Sequence, residues 1–213
     1  MAISQLDLAF ASGVIQSLDF DGTIKIKTGP ELRINDPNHK YSAGYDELPF
    51  FTADDENPSV TSFRGFPMCV PQSATDEKCP SSNRPADVTS FTVPDATHRV
   101  PMQVGDYIEC SGTQKDVKTI CDTMVMNIGL QTADNQPGFV RVEDTIIGIS
   151  DTNIDVEAAR QKFVGTASHN DLPVSIWAID VDPCTGAETD RLVATTPVEV
   201  SARNKWEAWI AKN

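Results

Sequence analysis

The clearest period-two stretch lies near the start of the chain. Residues 23–28 place Ile24 and Ile26 on one face and Lys25 and Lys27 on the other, the pattern of a half-buried antiparallel strand. Residues 13–20 read as the strand before it. Asp21-Gly22 between them is a hairpin signal, because this pair supplies the positive φ angles of a two-residue turn. Glu31–Ile34 continues the sheet after Gly29-Pro30. Residues 88–93 are β-rich and bounded by prolines. Residues 100–111 hold a Val-Gly-Asp turn, after which Tyr107, Glu109 and Ser111 alternate with Ile108 and Cys110. A turn at 112–116 and a β-compatible run at 117–130 complete what reads as a hairpin of a small barrel. In residues 139–149, Arg141, Glu143 and Thr145 alternate with Val140, Val142 and Asp144, so one face carries most of the polar groups.

Residues 173–181 and 191–195 form a further hairpin about the turn at 183–186. A helical stripe occurs at 155–163, where Asp155 caps and Val156, Ala159 and Phe163 recur on one side. Residues 202–210 fit either a short strand or a helical tail, with Trp206 and Trp209 three apart. Together these elements predict an all-β fold: small antiparallel β-barrels or a sandwich, with long loops and one short helix. Residues 1–135 are expected as a barrel-like half carrying a long aromatic loop at 32–87. Residues 136–213 are expected as a second β half, compatible with packing into one domain.

The stretch 32–79 interrupts the pattern. It is too aromatic for a solvated linker and too rich in Pro, Gly, Asn and Asp for one strand or helix. Tyr41, Tyr45, Phe50, Phe51, Phe63 and Phe66 stand among Arg33, Asn35, Asp36, His39, Lys40 and Arg64. Rings of this size bury large areas, and tyrosine keeps a polar handle. Long loops of this kind in compact domains are usually functional. The same residues suit a structural cover over a barrel end and a ligand-contacting lid. Within the stretch, residues 52–57 (TADDEN) form a dense acidic turn. It lacks the spaced acidic pattern of a calcium loop, which favours a solvated turn.

Charge narrows the partners. The formal net charge is −14 over 213 residues, so phosphate backbones and anionic membranes are repelled. Neither nucleic acid nor a membrane is expected as a partner; a homo-oligomer is compatible with the composition. No apolar run reaches the length of a membrane helix. The first sixteen residues have no basic leading region and do not read as an intact signal peptide.

The five cysteines are Cys69, Cys79, Cys110, Cys121 and Cys184. Cys69 and Cys79 flank a polar loop, a spacing that suits a local disulfide contributing about 2–3 kcal/mol. Cys110 and Cys121 fall in strands and read as buried small apolar residues. An odd total leaves at least one without an internal partner.

No nucleophile elbow, dinucleotide loop, phosphate loop or histidine pair at metal spacing is present. No cofactor is expected. The absence of covalent machinery is compatible with a binding or structural protein. It is equally compatible with a cofactor-free enzyme that positions two reactants and polarises a carbonyl. Such an enzyme needs an aromatic-lined pocket and a few donors, types that the loop and Asn204-Lys205-Trp206 supply.

The strings RINDPNHKYSAGYDELPFFTADDENPSVTSFRGFPMCVP, VRVEDTIIGISDTN, AIDVDPCTGAETDR and ARNKWE resemble a family of fungal hypothetical proteins. The likeness runs from about residue 13 to about residue 207. It extends to that family's hetero-Diels–Alderase-type members, which join a quinone methide to a terpene alkene. Relatives of this kind look secreted. The resemblance implies a cofactor-free cyclase acting on apolar small-molecule substrates, and it carries no established catalytic residues. On residue type, Arg33, His39, Lys40, Arg64 and Lys205 are the candidate donors to the developing oxyanion. Tyr41, Tyr45, Phe51, Phe66, Trp177 and Trp206 are the candidate pocket walls. The alternative is a non-catalytic secreted β-protein that binds a glycan or a protein. An exposed flat aromatic strip without an enclosed pocket would mark it.

Overall fold

A computed structural model of the chain describes residues 9–35, 59–92, 99–136, 138–149 and 160–211. The described strands are β1 (Ala9–Leu18), β2 (Ile24–Ile26), β3 (Glu31–Ile34), β4 (Ser59–Ser62), β5 (Met68–Cys69), β6 (Ser90–Phe91), β7 (Val100–Pro101) and β8 (Tyr107–Lys115). They continue with β9 (Lys118–Asn127), β10 (Gln131–Thr132), β11 (Val140–Ile149), β12 (Arg160–Ala167), β13 (Val174–Val181), β14 (Glu188–Thr196) and β15 (Lys205–Ala211). The fold is all-β, with one 3-10 turn among the described residues, at Ser81–Asn83.

Five strands close a barrel. β1, β2 and β3 form an antiparallel meander, β1 also pairs with β8, and β8 with β9. The closing pair, β3 with β9, is parallel. This connectivity is a five-stranded Greek-key barrel of OB type. Alternation drives it: Ile24, Ile26, Leu32, Ile34, Ile108, Met124 and Met126 all turn inward and are buried, while the residues between them face out. The excursion between β3 and β8 adds β4 to the free edge of β9 and the parallel pair β5–β7. Phe66, Met68, Val70, Phe91, Val100 and Met102 from this excursion share the barrel's core cluster.

A second, smaller core lies beyond residue 160. Ala167, Val174, Val198 and Trp206 are buried together, with Phe163 and Ile176 packed against them. β11, β12 and β15 make a three-stranded antiparallel sheet, and β13 with β14 a separate hairpin. Phe139, at the entrance to β11, packs instead on the barrel core.

Several expectations change on contact with the structure. Of the expected helix, Arg160–Phe163 are the start of β12, and 155–159 lie outside the described residues. Partners on both sides, β11 and β15, satisfy an extended backbone and override a weak helical stripe. The ambiguous C-terminal segment is strand β15, so Trp206 and Trp209 fall on opposite faces, one buried and one half exposed. The turn expected at 112–116 is shorter and later. β8 runs on to Lys115, and Asp116-Val117 alone connects it to β9, with Asp116 at φ 56°. At Asp21-Gly22 only Gly22 has positive φ. Leu18 pairs with Ile24 across a five-residue loop, closed by Asp19 N donating to Thr23 O at 2.9 Å.

The cysteine reading changes most. Cys69–Cys79 is a disulfide as expected, but Cys110 and Cys121 are also bonded to each other, with Cα atoms 5.5 Å apart. A bulge between Ser111 and Gly112 shifts the hairpin register, so Cys121 faces Gly112, and Cys110 faces Met124. The two sulfurs meet on a diagonal within the inward face. Gly112 is required there: a Cβ would stand 1.9 Å from the Ile120 carbonyl oxygen. Cys184 is free and exposed. Two disulfides are compatible with an extracellular location.

Candidate functional site

The barrel's outer face gathers the chemistry. Leu32 and Ile34 point inward from β3, which sends Arg33 outward between them. Opposite, β9 sends Ile120 outward, in register with Arg33 on one side and Thr113 of β8 on the other. The next row is Glu31, Lys118 and Lys115. Around Ile120 these rows leave an open cleft of ≈ 470 Å³ lined by Arg33, Ile34, Asn35, Thr113, Lys115, Ile120 and Asp122.

Polar contacts hold its rim. Asn35 N donates to Cys121 O at 2.7 Å, and its Nδ2 donates to Asp122 Oδ1 at 2.6 Å. Glu31 lies between Lys118 at 3.3 Å and Lys25 at 3.5 Å. The Lys118 hydrogen bond is the main cause holding the Glu31 carboxyl below its ordinary range. Asp21, in the β1–β2 loop, is likewise held low, first by the Thr23 amide and also by the charges of Lys118 and Arg33. The loop and the β8–β9 turn therefore flank one face, as the corresponding loops do around the ligand face of OB barrels. Lys25, Arg33, Lys115 and Lys118 collect there on a chain whose net charge is −14.

The cleft suits a small ligand that carries both an anionic group and hydroxyls. Arg33 and Lys115 offer donors to the anion, Asp122, Asn35 and Thr113 bond hydroxyls, and Ile120 supplies an apolar floor. Among the described residues no group of three or more His, Cys, Asp and Glu side chains is arranged to hold a metal. The acidic turn at 52–57 lies outside the described residues. One described histidine meets a carboxylate: His169 Nδ1 contacts Asp171 Oδ1. The ring is buried under Gly138 beside the fully buried Ser168, whose hydroxyl serves Thr132 and the Phe139 amide. That arrangement ties segments together and gives no accessible nucleophile.

Among the described residues, those predicted for the site lie in separate places. Arg33 lines the cleft. His39, Lys40, Tyr41, Tyr45 and Phe51 lie outside the described residues. Arg64 donates through Nη1 to the carbonyls of Gly129 and Leu130 at 3.0 and 3.1 Å, and burial lowers its basicity. Phe66 is core rather than wall: it is fully buried and packs edge-to-face on Phe91 at 5.1 Å. Trp206 is also core. Its ring covers Gly165, where a Cβ would come within 2.7 Å of the indole, and Nε1 donates to Thr166 O at 3.1 Å. Lys205 is exposed on β15, across from Thr166. Trp177 is exposed on the β13–β14 hairpin. Lys115, Thr113 and Asp122 were not singled out from sequence. Their signal was the outward phase of the β8–β9 hairpin, which depends on the bulge at Gly112.

Fold and cleft together define a disulfide-stapled all-β protein with an OB-type barrel. Comparison with family models, curated proteins and solved structures returns no match.

Proposed function

We propose that the chain is a non-catalytic, secreted β-protein that binds an acidic glycan in the barrel cleft. The observation that supports this reading is the pairing of Arg33 and Lys115 with Asn35, Thr113 and Asp122 around one cleft. OB-type barrels bind oligosaccharides beside their third strand and fourth-to-fifth strand loop, elements that correspond to β3 and the β8–β9 turn bordering this cleft, and the acidic remainder of the chain disfavours long polyanions. The test is calorimetric titration with a short oligogalacturonate and with a neutral glucan oligomer of equal length. Binding of the acidic oligomer is expected, weakened about tenfold or more in Arg33→Gln and Lys115→Gln. Equal binding of the neutral oligomer, or indifference to both substitutions, would remove the reading.

A second reading keeps the cyclase. It is supported by Arg33, which lines the cleft a few residues before the aromatic stretch 36–58 and would donate to an oxyanion. It predicts that the protein biases the enantiomeric ratio of the adduct formed from a generated quinone methide and a humulene-type alkene. An unchanged ratio with folded protein rejects it.

A further inference from the structure

The β13–β14 hairpin carries four large apolar side chains that no described residue covers. Trp177, Ile179 and Val181 alternate along β13, and Leu192 stands across from Trp177 on β14, so all four share one face. They are 56%, 62%, 57% and 50% exposed. The other face holds Ala178, Asp180, Thr189 and Arg191, with Arg191 clamped on Asp180 by two hydrogen bonds of 2.7 and 3.0 Å. Only the base of the hairpin joins the second core, through Val174 and Ile176. Among the described residues β13 pairs with β14 alone, and none of them pairs with the backbone donors and acceptors of its outer edge. Natural edges are usually blunted by Lys or Pro; residues 177–181 contain neither.

Charge selects the occupant. Between Trp177 and Leu192 the hairpin carries Asp180, Asp182, Glu188 and Asp190 against Arg191 alone, four negative charges to one positive. A second copy would bring the same acidic arm and the same net charge of −14, and like charges brought together oppose it. We infer that the outer edge of β13 takes an extended segment of a partner protein in which apolar and basic residues alternate. Its apolar side chains continue the row of Trp177, Ile179 and Val181. Its basic side chains fall on the opposite face, beside Asp180 and Asp182. Backbone hydrogen bonds along the edge supply affinity, and the alternation supplies register.

The test uses the full chain and three eight-residue peptides: alternating Lys and Val, alternating Glu and Val, and the Lys/Val composition with its lysines clustered. Binding is read by calorimetry and tryptophan fluorescence at physiological salt. The alternating Lys/Val peptide is expected to bind one to one, with no binding of the Glu/Val peptide and about tenfold weaker binding of the clustered one. Ile179→Lys is expected to weaken the first complex at least about tenfold. That side chain is more than half exposed, and circular dichroism confirms that the variant is folded. Equal binding of both basic peptides, or wild-type binding by Ile179→Lys, reduces the effect to general charge attraction and overturns the proposal. So does sedimentation as a dimer that Ile179→Lys dissociates, which assigns the edge to a second copy. Vesicle binding lost in the same variant, with no peptide binding, assigns the face to lipid and overturns it too.

Discussion

Asp106 is a buried carboxylate enclosed by donors. Arg84 grips both its oxygens at 2.6 Å, and Gln103 N donates to it at 2.9 Å. Arg84 also donates to Pro101 O, and Gln103 Nε2 donates back to Arg84 O. One residue therefore pins the excursion between β3 and β8 to the barrel, since Asp106 O accepts from Ile15 N of β1 at 2.8 Å. Removing the guanidinium strands a carboxylate whose side chain is only 6% exposed. Arg84→Ala is expected to destabilise by about 3–5 kcal/mol. Arg84→Lys, which keeps the charge and loses the fork, should fall between that variant and the wild type. Urea denaturation of the three proteins checks this, and a change under 1 kcal/mol in Arg84→Ala would show that the pair is not a structural pin. Nothing in the sequence announced it: the partners lie 22 residues apart in a stretch without periodicity.

At the scale of elements, period-two alternation was a reliable guide, and its failures have causes. Ile24 and Ile26, and Leu32 and Ile34, lie in strands because one face of each has apolar surface to bury, whereas the 173–181 strand buries only its base, through Val174 and Ile176. The bulge at Gly112 was invisible, since a bulge is a property of a pair of strands and not of either alone. Without it, Cys110 and Cys121 are out of register for bonding. The polar alternation of β11 was visible, and at the start of the strand it is the polar side that is buried. Arg141 is buried and Glu143 nearly so, bonded to Arg203 at 2.5 Å, while Val140 and Val142 are half exposed. The Arg141 face packs against the barrel, where a Cβ on Gly65 would come within 2.8 Å of the Arg141 side chain. Binary pattern ranks faces by polarity, and a paired charge in an interface defeats that ranking. The β8–β9 staple gives the test at this scale. Cys110→Ala with Cys121→Ala is expected to cost about 3 kcal/mol by chain entropy alone. Alkylation of the native wild type should modify Cys184 only, because the other four cysteines are bonded and buried. More than one adduct per native chain would contradict the pairing.

At the scale of the whole molecule, the sequence showed the class of fold and not the gathering of the site. Arg33 was legible as a candidate donor in a segment that continues the sheet. Its neighbours across the barrel, Thr113 and Asp122, come from strands about 80 residues further along the chain, and only barrel closure brings them together. Phe66 and Trp206 carry the residue types of a pocket wall, yet each fills a core, because ring burial satisfies both roles equally well. The two cores meet at Ser168. Its Oγ lies 2.7 Å from Thr132 Oγ1 and accepts from Phe139 N at 2.8 Å, while its backbone bonds Thr132 N and Phe139 O. All three tryptophans lie between residues 177 and 209 and Trp206 sits in the second core, so tryptophan fluorescence reports the C-terminal half, whereas far-ultraviolet circular dichroism reports both. In the wild type the two urea transitions are expected to superpose. Ser168→Ala leaves a hydroxyl and an amide without their partner, at about 1–3 kcal/mol, and should move the fluorescence midpoint below that of the dichroism. If the midpoints fall together, the contacts of Gly65 with Arg141 and of Phe63 with Arg203, whose guanidinium stacks 5.2 Å above the ring, are enough to keep the cores unfolding as one. If neither midpoint moves, the Ser168 hydroxyl does not tie them.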